Sequence, residues 1–304
     1  MVRGGPEVRN VRAVRARREG RDPPGARGQR ADREPWADRE RRKLGPGKAR
    51  ALASRGMPSP TIVTVLQCKG GVGKTTVATN LAAAAHLTGL RTLLLDLEDP
   101  RHKGLASVWF ALRTADSSLR ELVTHLAPET WTPSHFQSVA APYDLVVCDA
   151  PASLARATLN AAVASDFALV PMLVGPAEIF ALDPVADLID LADRQRAKLG
   201  VSPLRWSCVL NRVQVSTREN QGMAEALCTR VDLIHAVLGE RLSYRRAIAM
   251  GECALTYRPR DQAAAQEAWS LFEAVLAKTP LRDRRVKVPE ALQITRKRTS
   301  QRAA

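Results

Sequence analysis

Residues 67–76 read QCKGGVGKTT. The apolar run TIVTVL (61–66) precedes them and VATNLAAAAHLTG (77–89) follows. The first run predicts a buried strand and the second a helix closing at Gly89, so the glycines fall on the turn between a strand and a helix N-terminus. Such a turn presents backbone N–H groups and the positive end of a helix dipole to an anion. The candidate cofactor-binding loop is Gly70, Gly71, Val72, Gly73, Lys74, Thr75 and Thr76. The N–H groups from Gly71 to Lys74 can wrap a β-phosphate, Lys74 can reach the β/γ oxygens, and the Thr75 hydroxyl is placed to ligand Mg²⁺. The spacing departs from G-x-x-x-x-G-K-[ST], because Cys68 stands where the first glycine is expected and a second lysine, Lys69, follows it.

Outward from the loop, strands and helices alternate. RTLLLDLE (91–98), YDLVVCDAP (143–151), DFALVPMLV (166–174) and RWSCVLNRV (205–213) read as strands. Residues 105–140 mix short helical pieces and loops. ATLNAAVAS (157–165) reads as a short helix, and 177–200 as a long one that Pro184 kinks or restarts. Further helices are predicted at about 219–238 and 261–278. Continuous apolar strands separated by helices predict an α/β fold, a mostly parallel twisted sheet covered on both faces. Ligands of such sheets sit at the carboxyl ends of the strands. Lys69, Asp96 and Asp149 all fall there.

The chain has 304 residues, 45 % of them hydrophobic, and a net charge of +15. Of its 46 basic residues, 17 fall in 1–60 and 8 in 281–304, which leaves 21 against 22 acidic residues in 61–280. The charge therefore belongs to the ends. Residues 1–56 contain no Ile and no Phe and show no sustained period, so 1–60 is expected to be a disordered basic extension. Either it is an arm that adds nucleic-acid affinity through counterion release, or translation begins at Met57; composition favours the second. Residues 281–304 are expected to be a basic C-terminal tail, which leaves 61–280 as the folded domain. No run approaches the roughly 18 apolar residues of a membrane span and no apolar leader opens the chain, so a cytoplasmic protein is expected. The five cysteines (Cys68, Cys148, Cys208, Cys228 and Cys253) are odd in number and widely spaced. They are read as reduced thiols, with a redox-sensitive Cys68/Cys148 pair as the minor alternative.

KGGVGKTT resembles the deviant Walker A motif of the ParA/MinD family of ATPases. The resemblance continues in order through DLEDP, YDLVVCDAPAS, LNAAVASDFALVPM and VLNRV, covering about 61–278. It implies ATP and Mg²⁺ as cofactors and slow hydrolysis. It also implies a homodimer formed with ATP, in which Lys69 reaches across to the nucleotide of the other subunit. Asp149 looks like the Walker B aspartate that holds Mg²⁺ through water. The family's D-x-D-P-Q appears here as Asp96-Leu97-Glu98-Asp99-Pro100-Arg101. Asp96 is the first acid, and either Glu98 or Asp99 orients the attacking water, depending on the alignment chosen. Asn211 resembles the asparagine that reads the adenine edge, or else caps the turn after its strand.

Within the family, the C-terminus lacks the apolar face of a membrane helix and Pro289 interrupts it, so no membrane partner is expected. No cluster motif offers iron–sulfur ligands. The resemblance is closest to ParA-type partition ATPases, which bind DNA without sequence preference. Arg218, Arg245, Arg246, Arg258 and Arg260 are the candidate phosphate contacts. The expected role is partition of plasmid or chromosomal DNA on the nucleoid with a ParB-like partner. The alternative is positioning of a protein cargo such as a chemoreceptor array, a microcompartment or a secretion apparatus. The N-terminal segment is too short for a helix-turn-helix domain, so operator-specific repression is not expected.

Overall fold

The computed structural model describes residues 59–98, 104–153, 155–175, 177–214, 231–289 and 292. Seven strands form one sheet: β1 Thr61–Val65, β2 Thr92–Asp96, β3 Val123–Leu126, β4 Leu145–Asp149, β5 Phe167–Met172, β6 Arg205–Val213 and β7 Leu233–Gly239. Their spatial order is β3-β2-β4-β1-β5-β6-β7, and every pairing is parallel. Among the described residues eight α-helices accompany them: α1 Lys74–Leu87, α2 Leu105–Ala111, α3 Pro133–Ala140, α4 Arg156–Ala164, α5 Ala177–Phe180, α6 Asp183–Lys198, α7 Leu242–Ala249 and α8 Gln262–Lys278.

Alternate strand residues feed two apolar layers, as a pleat of period 2 requires. Val63, Val65, Leu94, Val147 and Leu169 point to the layer covered by α1, α2 and α8. Ile62, Leu93, Leu95, Val146 and Val170 point to the other, covered by α3, α4 and α6. Burial on both faces explains why these strands read as unbroken apolar runs. Helix α1 is itself buried along most of its length, and its alanines allow close approach to the sheet and to α8. Asn80, buried in this helix, donates to the Thr76 carbonyl at 2.8 Å and accepts from the Ala254 amide at 2.9 Å.

Three expectations change. Residues 233–239 form β7 and not the end of a helix; their burial alternates because β7 is an edge strand with one covered face. The rest of that predicted helix, 219–230, lies outside the described residues. A short strand, β3, occupies 123–126 within the stretch read as helical pieces and loops, where it pairs with β2 at the opposite edge. The long helix predicted over 177–200 is two, and Pro184 lies in the first turn of the second, so the restart is what occurs.

The folded unit also runs past 280. Leu281 and Leu292 are buried in the α8-side layer, Val286 and Val288 pack against it, and Arg284 donates to Asp144 Oδ1 at 2.9 Å. Asp144 precedes β4 and also takes a bidentate pair from Arg91, at 3.0 and 2.9 Å. These guanidinium partners hold its carboxyl below its ordinary value in spite of burial. The arms at 1–58 and 290–304 lie outside the described residues, apart from Leu292.

Candidate functional site

The carboxyl ends of β1, β2 and β4 lie side by side, with Val65 in register with Asp149 and Asp149 with Asp96. The sheet order reverses beside β1, at the place where open parallel sheets bind ligands. The glycine loop leaves β1 here. Gly71 (φ 76°) and Gly73 (φ 88°) lie in the left-handed region, and Gly73 is the N-cap of α1. A methyl group at Gly73 would overlap the Asn211 side-chain amide. That amide is buried and donates to the Val72 carbonyl at 2.7 Å, so β6 braces the loop from behind. Arg212, at φ 55°, donates to the Gly71 carbonyl at 3.2 Å and pairs with Glu240 at 2.8 Å.

Lys74 opens α1 and is only 8 % exposed. Its ammonium donates to the Lys69 carbonyl at 3.2 Å. Burial lowers its proton affinity, against the attraction of Asp149, Cys68 and Glu98. Asp149, buried at the end of β4, is pushed up to about 7, chiefly by desolvation; the neighbouring Thr75 hydroxyl and Lys74 pull the other way. Its Oδ1 is buried and has no hydrogen-bond partner. An orphaned carboxylate oxygen beside a threonine hydroxyl is the donor set that suits a hydrated Mg²⁺, which takes one or two protein ligands and completes its shell with water and phosphate. Among the described residues no group of three or more His, Cys, Asp or Glu side chains gathers to hold a metal by itself.

Asp96 is engaged elsewhere. Its carboxylate accepts from the Ser107 amide at 2.9 Å, from the Ser107 hydroxyl at 2.6 Å and from the Glu98 amide at 3.1 Å. Gly104 lies so close that any side chain there would overlap it. Asp96 thus anchors the start of α2 and the backbone of Glu98. The Glu98 carboxylate lies near enough to raise the proton affinity of both Lys74 and Asp149. Asp99 lies outside the described residues.

Lys69 is half-exposed, and its ammonium pairs with Glu178 Oε1 of α5 at 2.5 Å. Sequence reasoning missed Glu178, Ser107 and Arg212. Glu178 carried no signal beyond being an acid in the early part of a predicted helix, and Ser107 became a partner only through the fold of α2.

Arg245 and Arg246 are exposed on α7, and Arg258 is exposed on the loop before α8. The two segments adjoin: Ser243 donates to Asp261 Oδ2 at 2.7 Å, and the Tyr244 hydroxyl donates to the Ala264 carbonyl at 3.2 Å. Arg260 on the same loop is half-buried and engaged with neighbouring groups. Arg218 lies outside the described residues. Cys68, Cys148, Cys208 and Cys253 are free thiols, and burial pushes the Cys148 thiol up to about 12, so it supplies no thiolate to a redox pair with Cys68. No helix among the described residues is long and apolar enough to cross a membrane.

A glycine loop between a central parallel strand and a buried helix, with an orphaned carboxylate at the end of the next strand, defines a P-loop nucleotide-binding domain. The chain belongs to the CobQ/CobB/MinD/ParA nucleotide binding domain family, whose model matches residues 63–254. Among its relatives, the chromosome-partitioning ATPase Soj of Thermus thermophilus is 36 % identical over 162 residues, 44 % of this chain and 61 % of that protein. The maintenance of carboxysome distribution protein A of Halothiobacillus neapolitanus is 29 % identical over 221 residues, 70 % of this chain and 95 % of that protein. Alignments with several curated relatives, Soj among them, span less than two thirds of the relative's own length. The fold matches that of the septum site-determining protein MinD of Pyrococcus horikoshii, solved with Mg-ADP, at a TM-score of 0.55 and 20 % identity, over 71 % of this chain and 96 % of that one.

Proposed function

We propose that the protein is an ATP-driven dimerising ATPase of the ParA type that moves or positions a cargo on DNA. The observation that carries this reading is the buried, unpartnered Oδ1 of Asp149 beside Thr75 and Lys74, at the mouth of a loop already held in a phosphate-binding shape. Gly70 to Thr76 hold the phosphates, Lys74 turns from the Lys69 carbonyl to the β/γ oxygens, and Thr75 and water-linked Asp149 hold Mg²⁺. A cation held by Thr75 and Asp149 would supply charge neutralisation for the phosphoryl group. Glu98, on a backbone that Asp96 fixes, or Asp99 orients the attacking water. Lys69 of each subunit stabilises the phosphoryl charge in the other, which makes the nucleotide part of the dimer interface. Two copies of the arginines on α7 and the loop before α8 then act together on DNA phosphates.

DNA partition with a ParB-like partner is the first reading of the cargo. Positioning of a protein body is the second, and the match along 95 % of the Halothiobacillus carboxysome-distribution protein favours it specifically.

The test compares Lys74→Ala and Lys69→Ala by ATP titration and by sedimentation with and without Mg-ATP. Lys74→Ala should bind ATP more weakly by at least about 2 kcal/mol, the scale of a charged hydrogen bond. Lys69→Ala should bind ATP as the parent does but remain monomeric. Parental dimerisation by Lys69→Ala would refute action across the interface, and parental ATP affinity in Lys74→Ala would refute the phosphate loop.

A further inference from the structure

Near its carboxyl end, β6 carries one residue more than the strand beside it. Leu210 lies in register with Val237 and Val213 with Gly239, so three steps along β6 match two along β7. The extra residue falls within Asn211 and Arg212, and Arg212 stands at φ 55°, a conformation that glycine adopts freely and other residues only at a cost. Such bulges re-aim side chains and are enriched beside active sites. We infer that Arg212 is a positioning residue for nucleotide binding: anchored on Glu240, its guanidinium holds the Gly71 carbonyl away from the ligand, so that the adjoining amide faces the phosphates. The inference rests on the reading of Gly70 to Thr76 as a phosphate loop.

In a regular strand successive side chains point to opposite faces. Here two successive side chains reach the same loop: Asn211 donates to the Val72 carbonyl at 2.7 Å, and Arg212 Nη1 to the Gly71 carbonyl at 3.2 Å. The left-handed residue at the bulge breaks the alternation. In a trans peptide the C=O and the N–H point in opposite directions. Two carbonyls drawn toward β6 therefore turn the amides of Val72 and Gly73 the other way, as a loop that binds an anion through its N–H groups requires. Without this hold, the peptide between Gly71 and Val72 has a glycine for its hinge and is free to rotate its carbonyl toward the phosphates, which would repel it.

The two braces differ in how they are kept in place. Asn211 is buried against Gly73, so packing fixes it. The Arg212 side chain is 49 % exposed and needs an anchor, which Glu240 supplies. Glu240 Oε1 accepts from Arg212 Nη2 at 2.8 Å, its Oε2 accepts from Gln214 at 3.1 Å, and its own amide donates to the Val213 carbonyl at 3.0 Å. Main chain and side chain thus tie the carboxylate to the end of β6, and the guanidinium spans from it to Gly71. Hydrogen bonds from Arg212 and Gln214 hold the Glu240 carboxyl below its ordinary value, so it stays charged near neutral pH. An exposed ion pair adds little stability, and its use here is to aim the second Nη at the loop.

The full-length protein serves for the test, with Arg212→Gly, Arg212→Ala and Lys74→Ala set against the parent. Both Arg212 variants should bind Mg-AMPPNP about tenfold more weakly by calorimetric titration, the factor that goes with losing a hydrogen bond from a charged group. Melting of the nucleotide-free protein should separate the two, with Arg212→Gly the more stable, because glycine occupies φ 55° without steric cost. Affinity losses that instead follow the melting temperatures would make Arg212 a merely structural residue and overturn the inference. With AMPPNP saturating, amide hydrogen exchange of residues 67–76 should stay faster in both variants than in the parent. Loop exchange equal to the parent's, with affinity still lost, would place Arg212 on the nucleotide itself and overturn the positioning role. Parental affinity in both Arg212 variants while Lys74→Ala binds weakly overturns the inference alone. Parental affinity in Lys74→Ala overturns the phosphate loop on which it rests.

Discussion

Replacing Asp149 by Asn should stabilise the nucleotide-free protein above neutral pH while abolishing its response to Mg-ATP. A carboxyl whose ordinary value is 3.8 is pushed up to about 7 in the folded protein. Each tenfold change in proton affinity is worth about 1.4 kcal/mol, so the charged form costs the folded state up to about 4 kcal/mol. The folded state binds the extra proton between these two values. The contribution of this carboxyl to stability is therefore greatest below pH 4, falls as pH rises to about 7, and is level above it. Asn supplies the uncharged shape at every pH. The attraction of Lys74 and the Thr75 hydroxyl already lowers the carboxyl's value, so the figure is net of both and the gain at pH 8 should be up to about 4 kcal/mol. For a domain of this size that is a Tm rise of up to about 8–16 °C. Calorimetric melts in EDTA at pH 4 and pH 8 measure it, with little difference between variant and parent expected at the lower pH. In Mg-ATP the order should invert, because only the parent gains from the cation. A variant that melts below the parent at pH 8, or that differs equally at both pH values, would refute the claim that an uncompensated carboxylate is stored at the end of β4.

Gly73→Ala places a methyl group against the Asn211 amide at a backbone angle that L residues rarely adopt, so it should lose most ATP affinity and about 1–3 kcal/mol of stability, read by titration and by urea unfolding. The pair Arg245→Glu and Arg246→Glu, both exposed on α7, should leave ATP-dependent dimerisation unchanged by sedimentation. The same pair should weaken DNA binding and flatten its dependence on salt by about 0.9 for each phosphate that is no longer neutralised; an unchanged salt slope would remove α7 from the DNA surface.

The phosphate loop was legible because two of its glycines are required: Gly71 and Gly73 both sit at positive φ, and Gly73 also abuts Asn211. The five longest-reading strands were legible because burial on both faces writes an unbroken apolar run. The edge strands were not. In β7 Ile234, Ala236 and Leu238 are buried in the core, and the alternation was hidden by a preceding stretch that reads with helical period. Strand β3 is only partly buried and carries a single strong apolar pair, Val123 and Leu126, at its ends. Within the site, the residues that touch phosphate announce themselves by spacing. Those that hold the site in shape do not, because Ser107 on Asp96 and Glu178 on Lys69 are meetings between segments 11 and 109 residues apart.

The pair of guanidiniums on Asp144 has a consequence for how the chain becomes a protein. Strand β1 begins the sheet in sequence but sits at its centre, and the amide of Ile62 waits for Asp166, 104 residues later, to accept its hydrogen bond. Arg284 then closes onto Asp144 from 140 residues downstream. Contacts so distant in sequence can form only after long loops have closed, and folds built from them mature slowly. On a ribosome adding about 5–20 residues per second, β1 spends about 5–20 seconds as an exposed apolar strand before its second neighbour is made. The final clasp is cast only when the end of the domain emerges. Newborn chains of this protein should therefore be heavy clients of chaperones, and truncation before Arg284 should be felt first in yield of soluble protein.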